Sequence, residues 1–171
     1  MKRIAVAFTG KSNSGKTTLV VKISNYLQEK GYKVCIVKHD PKDKAVFDKE
    51  GKDSWKFTQT GAQVAVVSPT RTTYFKQETS SLEAIIAMFG EFDYLLVEGL
   101  KTLPLPRIAV IRDEVDENYF NLSDAIATDG SVDKKQFPKE CEILDLNHIE
   151  SVVSWIDMNG KIYRDKTYIS E

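Results

Sequence analysis

Apolar residues fall in short runs that alternate with segments of helical period. Residues 4–9 form an apolar run ending at a glycine, which suits a strand buried on both faces of a parallel sheet. Residues 16–30 carry Leu19, Val20, Ile23 and Leu27 at helical spacing, with Gly31 as the stop. Residues 33–38 read as a second buried strand, which completes a β-α-β unit. Residues 39–52 are polar and charged, without a period. Asp53 is placed to cap a short helix through Thr60, ended by Gly61. Residues 63–68 and 72–76 read as two strands around the turn Pro69-Thr70-Arg71. Ser80 or Ser81 then caps a helix that puts Leu82, Ile85, Ile86 and Phe89 on one face.

Residues 92–97 are another buried strand, followed by 107–112 and an acidic stretch at 113–118. Short strands are predicted at 125–128 and 142–146, and a last helix at 149–158. The end, 159–170, is expected to turn as a small hairpin around Asn159-Gly160 or to lie against the surface. Strands alternating with helices predict one three-layer α/β domain with a mostly parallel sheet and an inserted β-hairpin.

Composition changes this picture little. The chain has 171 residues, enough for one domain with a real core, and 42% hydrophobic and 29% charged residues, ordinary globular values. A formal net charge of −1 argues against a protein whose work is to coat nucleic acid. No apolar run is long enough to span a bilayer. The N-terminal MKRIAVAFTGKS mimics a signal peptide, but its apolar part is short and a phosphate loop follows at once, so a cytoplasmic protein is expected. Cys35, Cys141, His39 and His148 lie too far apart in the sequence to read as a zinc motif, and the cysteines read as thiols of a reducing compartment.

The loop itself is GKSNSGKTTL. Gly10, Gly15, Lys16 and Thr17 meet the pattern G-x-x-x-x-G-K-[ST], and a strand precedes it and a helix follows, as the P-loop requires. The glycines let consecutive N–H groups face an anion, and the helix adds the positive end of its dipole. Lys16 would reach the β- and γ-phosphates and the Thr17 hydroxyl would ligate Mg²⁺. Lys11, Ser12, Asn13, Ser14 and Thr18 complete the stretch expected to touch the nucleotide.

A metal-bound triphosphate also calls for carboxylates at strand ends. Asp40 follows KVCIVKH, and Glu98 follows YLLV in the Walker B manner, with Glu in place of the commoner Asp. Either can hold Mg²⁺, directly or through water, or orient an attacking water. Asp93 opens the same strand as Glu98 and reads as structural. Asp129 comes just after the strand 125–128, where a carboxylate can accept the paired donors of guanine. The NKxD motif is absent, and a turn-forming Asp before Gly130 is the other reading.

Two further segments are less generic: FDKEGKDSWKFTQTGA, 47–62, and FDYLLVEGLKTLPLPRIAVIR, 92–112. With GKSNSGKTTL and VKHD they resemble the MobB family, molybdopterin-guanine dinucleotide biosynthesis protein B, in order from Arg3 to Asp129. The resemblance implies a homodimeric GTP-binding accessory protein with weak GTP hydrolysis. In that pathway GMP is attached to molybdopterin, and a MobA-type guanylyltransferase carries out the transfer. One departure is that the family usually has further histidines after KH, where this chain reads KHDPKDKAVFDKEG. Molybdopterin carries a phosphate, so basic groups near the nucleotide are expected to serve it. Lys52, Asp53 and Ser54 at a helix start are candidates, with Lys101, Arg107 and Arg112 after strands.

The segment KVCIVKHDPKDK is also similar to the strand-end Asp-Pro-Lys of nitrogenase iron protein relatives. In that class a lysine after the first loop glycine, here Lys11, reaches across a dimer to the partner's nucleotide. The alternative reading is therefore a dimeric ATP-driven switch or metallochaperone of the same P-loop group. Cys/His metal-transfer motifs are missing for that role. A small-molecule kinase would need an arginine-rich lid, and arginines are sparse.

Overall fold

The structure, a computed structural model, describes residues 2–163. They fall into two compact units, one reaching to His39 and resuming at Glu91, the other Asp40–Gly90. In the first unit β1 (Ile4–Thr9) leads through the phosphate loop into α1 (Lys16–Glu29) and β2 (Val34–Lys38). The second unit holds α2 (Asp53–Thr58), β3 (Val64–Val67), β4 (Thr72–Phe75) and α3 (Leu82–Phe89). The chain returns with β5 (Tyr94–Glu98), β6 (Arg107–Val110), β7 (Ala125–Thr128) and β8 (Glu142–Asp145). It ends in α4 (Ile149–Asn159) and β9 (Lys161–Ile162).

The first unit is built on a sheet ordered β2-β5-β1-β6-β7-β8, parallel throughout, with β9 added antiparallel to β1. This is the mostly parallel P-loop sheet that the alternation of strands and helices predicts. Its central strands are closed to solvent: Ala5, Val6, Ala7 and Phe8 are fully buried, as are Tyr94 to Val97. One face packs Val6, Phe8, Leu96 and Ile108 against Leu19 and Ile23 of α1 and Val152 and Ile156 of α4. The helical spacing of α1 therefore buries the four residues that set its period, Leu19, Val20, Ile23 and Leu27. Beyond the centre, Ala109, Ile111 and Ile126 pack against Val132 and Phe137, from irregular segments rather than α-helices.

In the second unit β3 and β4 pair antiparallel, Val64 with Phe75 through Val67 with Thr72, as the inserted hairpin requires. Ser81 is the cap of α3 and accepts from Ala84 N at 3.2 Å. The cap of α2 is Lys52; Asp53 is already helical, so its carboxylate serves the first turn instead of closing it.

Two elements differ from expectation. The acidic stretch ends in a 3-10 helix, Glu117–Leu122, capped by Asp116, which accepts from Asn118 N at 3.1 Å. Asn159-Gly160 does not turn into a hairpin. The chain leaves α4 at Gly160, and Ile162 and Lys161 pair with Ile4 and Ala5. On that flank β6 covers only Ala7 to Thr9, so the start of β1 would otherwise present open hydrogen-bonding groups. A Cβ at Gly160 would sit 2.2 Å from Ile4 Cγ2, so the crossing needs glycine. The remainder of that expectation, 164–170, lies outside the described residues.

Candidate functional site

The site begins where β1 ends. Gly10 takes φ +139°, and a Cβ there would lie 2.5 Å from the Val110 carbonyl oxygen, so the loop runs hard against the end of β6. Asn13 also adopts a positive φ, 64°, which its short polar side chain tolerates. The α1 N-terminus follows with no side-chain cap and no acid in its first turn. Its leading N–H groups and positive dipole end are thereby left for an anion. Ser14 is 8% exposed, and its Oγ has no hydrogen-bond partner among the described residues. A buried hydroxyl in a loop of this shape fits a phosphate oxygen.

Lys16 folds back over the loop, donating to the carbonyls of Gly10 at 3.0 Å and Lys11 at 2.6 Å. Burial pushes its ammonium pKa down; Glu98 opposes this, while Lys38 and Lys101 add to it. Glu98, at the carboxyl end of β5, accepts the Thr17 hydroxyl on Oε2 at 3.1 Å and the Lys38 ammonium on Oε1 at 2.9 Å. Ser12, Asn13, Lys16, Thr17, Lys38 and Glu98 line one cavity of about 460 Å³, with Arg112 at its side. It lies outside the carboxyl ends of parallel strands, where open α/β sheets take their ligands.

These groups fit a magnesium-bound triphosphate. No cluster of three or more His, Cys, Asp or Glu among the described residues could hold a metal by itself. Mg²⁺ does not need such a cage, since it binds through one or two protein oxygens plus phosphates and water. The Thr17 hydroxyl and Glu98 would supply those oxygens.

A neighbouring cavity of about 160 Å³ is lined by Gly15, Thr18, Leu19, Arg112, Asp129 and Asn147, among others. Arg112 Nε donates to Asp129 Oδ2 at 2.7 Å, and Ser131 N donates to Oδ1 at 3.1 Å. The Ser131 hydroxyl and N–H, with the Arg112 guanidinium, hold the Asp129 carboxyl at about 2. The carboxylate keeps further acceptor positions, since each oxygen has two lone pairs.

The other expected residues fall elsewhere. Lys11 extends to the acidic stretch, with its ammonium 2.5 Å from Glu114 Oε2. Arg107 is 2% exposed and donates to the carbonyls of Gly99, Leu100 and Leu103, each at 3.1 Å, so its guanidinium holds the chain after β5. Lys101 lies over the Tyr119 ring, 4.5 Å from its centroid. Within the second unit, Asp40 accepts from the N–H groups of Lys42, Lys44 and Ala45 and closes the turn that follows it. There too Ser54 Oγ donates to Asp48 at 3.0 Å, and Asp53 lies 3.7 Å from Lys56. Lys52 accepts the Lys56 N–H on its carbonyl, in the first turn of α2. Lys38 was not expected in the site. As the last residue of an apolar strand it looks like a solvated end, and only the register of β2 on β5 sets it level with Glu98.

Comparison with known proteins gives a consistent result. The family model described as "Molybdopterin guanine dinucleotide synthesis protein B" (MobB) matches residues 5–129. A molybdopterin-guanine dinucleotide biosynthesis adapter protein of Haemophilus influenzae is 31% identical, over 89% of this chain and 86% of the relative. The adapter protein of Escherichia coli is 29% identical, over 91% of this chain and 95% of its own. Among solved structures, Bacillus subtilis MobB superposes with a TM-score of 0.71 at 25% identity, covering 88% of this chain and 96% of that one.

Proposed function

Because the chain belongs to the MobB family, we propose that it is a GTP-binding adapter in the attachment of GMP to molybdopterin. The observation that carries this reading is Thr17 on Glu98 beneath a phosphate loop whose lysine is already folded over it. Lys16 and the first N–H groups of α1 bind the phosphates. Thr17 and Glu98 would hold Mg²⁺, which would supply positive charge against the phosphates. Asp129 lines the adjoining cavity, where it would accept hydrogen bonds from guanine. Among the described residues Glu98 is the one carboxylate lining the phosphate cavity, so it is also the group that orients a water for slow hydrolysis.

In this reading the nucleotidyl transfer belongs to a MobA-type guanylyltransferase that the adapter serves in the cytoplasm. Among the described residues no helix is long and apolar enough to cross a membrane. The adapter acts as a homodimer through the β3–β4 hairpin, whose Val67 is 74% exposed and whose Val66 and Tyr74 are exposed beside it. An exposed two-stranded edge of this kind favours pairing with a second copy.

Titrating the pure protein with GTP, ATP and molybdopterin tests the reading. GTP should bind in preference to ATP, and molybdopterin should bind the loaded protein. ATP preference without pterin binding would overturn it and favour an ATP-driven switch.

A further inference from the structure

We propose that Lys38 is a second phosphate cation of this site, one that reads whether a terminal phosphate is present. Its ion pair with Glu98 is then the resting arrangement. The inference rests on the nucleotide-binding reading above.

The two oxygens of Glu98 are divided between two different groups. Oε2 takes the Thr17 hydroxyl at 3.1 Å, and Oε1 takes the Lys38 ammonium at 2.9 Å. Strand register sets the two residues side by side. Lys38 is level with Glu98 on the neighbouring parallel strand, and Glu98 is level with Phe8, just ahead of Gly10. The Glu98 side chain is 12% exposed and that of Lys38 is 61% exposed, so the carboxylate is held and the ammonium is free to swing.

A divalent cation arriving on Thr17 and Glu98 meets that ammonium as a like charge beside the same carboxylate. Lys38 must then leave Glu98. The other charged groups lining the cavity it faces are, among the described residues, the cations Lys16 and Arg112 and the carboxylate Glu98. The anion that enters with the metal is the nucleotide, and its terminal phosphate is what Lys38 can pair with next. A diphosphate offers the displaced ammonium no terminal phosphate to pair with, so there Lys38 goes on competing with the metal for Glu98. Metal and triphosphate therefore bind together, and the diphosphate gains nothing from the exchange.

The test uses the whole protein with Lys38→Gln and Lys38→Arg, and fluorescent guanosine tri- and diphosphates in excess Mg²⁺. Lys38→Gln should lower the preference for triphosphate over diphosphate about tenfold, the effect of losing one charge-assisted hydrogen bond. Lys38→Arg should keep most of that preference. Manganese without nucleotide, followed by electron paramagnetic resonance, should bind Lys38→Gln more tightly than the unsubstituted chain, because the ammonium no longer competes for Glu98. A pair that only joined two strands would shift the urea midpoint and leave the nucleotide ratio alone; an unchanged ratio in Lys38→Gln overturns the proposal. If the unsubstituted protein binds neither nucleotide, the nucleotide reading itself fails, which is a different result.

Discussion

Thr17 donates its hydroxyl to Glu98 at 3.1 Å although 81 residues separate them in the chain. Parallel pairing of β1 with β5 creates this contact, because it sets Phe8 level with Glu98 and so brings the start of α1 over the end of β5. If the two oxygens share one magnesium ion, their losses should not add. Thr17→Val and Glu98→Gln should each weaken Mg²⁺-dependent GTP binding at least tenfold, roughly the value of one charged interaction. The double variant should be little worse than the poorer single one. Calorimetry with magnesium and with a chelator measures this, and strictly additive losses would mean that no common cation links them.

Lys16 donates to two carbonyls of its own loop, so its ammonium already lies within the curl that a phosphate would occupy. Lys16→Ala should reduce triphosphate affinity by about a hundredfold or more, in line with loss of a charge-assisted contact in a partly buried site. The circular dichroism spectrum should not change, because neither carbonyl is part of the sheet. Retained tight GTP binding would show that the loop holds something else.

The geometry of Arg107 is that of a clamp on the chain after β5. Its guanidinium takes three carbonyls from the segment 99–103, and it is 2% exposed. Arg107→Met keeps the length and leaves those acceptors short of donors, which should cost about 3 kcal/mol in urea denaturation. Lysine should not restore it, since one ammonium cannot reproduce the planar fork. A pterin-phosphate role would instead leave stability unchanged and weaken pterin binding.

The exposed hairpin gives a direct test of the proposed dimer. Val67→Asp puts a charge where an apolar residue is 74% exposed. Sedimentation should then show a shift from dimer to monomer at micromolar concentration, with the far-ultraviolet spectrum retained. A variant that stays fully dimeric would place the interface on another surface.

Much of this architecture is legible in the residues, for a physical reason. Strands buried on both faces read as closed apolar runs, and α1 carries a clear 3.6-residue period, so Ile4–Thr9 and the buried face of α1 are visible before any coordinates. The phosphate loop is visible too, because its chemistry is local. What depends on register is not visible. Lys38 joins the site only because β2 pairs with β5 level with Glu98, and Arg107 turns inward only because the 99–103 carbonyls converge on it. Both are basic residues at strand ends, and sequence alone cannot separate a phosphate ligand from a carbonyl clamp. Likewise β9 answers an open flank of β1 that exists only once β6 is in place.

Asp129 carries the last prediction, because two roles for it give different results. It anchors Arg112 through Oδ2 at 2.7 Å and lines the cavity expected to take the base. Its carboxyl is held at about 2, so in the folded chain it stays ionised where an unfolded aspartate has taken up a proton. The unfolded value is about 3.9. Asp129 therefore contributes fully to stability above about pH 4, and the contribution is lost as the pH falls from there towards 2. The difference in urea midpoint between the unsubstituted chain and Asp129→Asn should be level from pH 5 to 8 and should shrink on further acidification, by about the span of one titration. Both roles share that profile, so base preference decides between them. If Asp129 accepts from guanine, Asp129→Asn should reduce the GTP-over-ATP preference at least tenfold, roughly the loss of one charged hydrogen bond. ATP affinity should stay close to its original value, because Lys16 and the loop are untouched. Unchanged discrimination would eliminate the base-reading role and leave Asp129 as the anchor that keeps Arg112 beside Gly15.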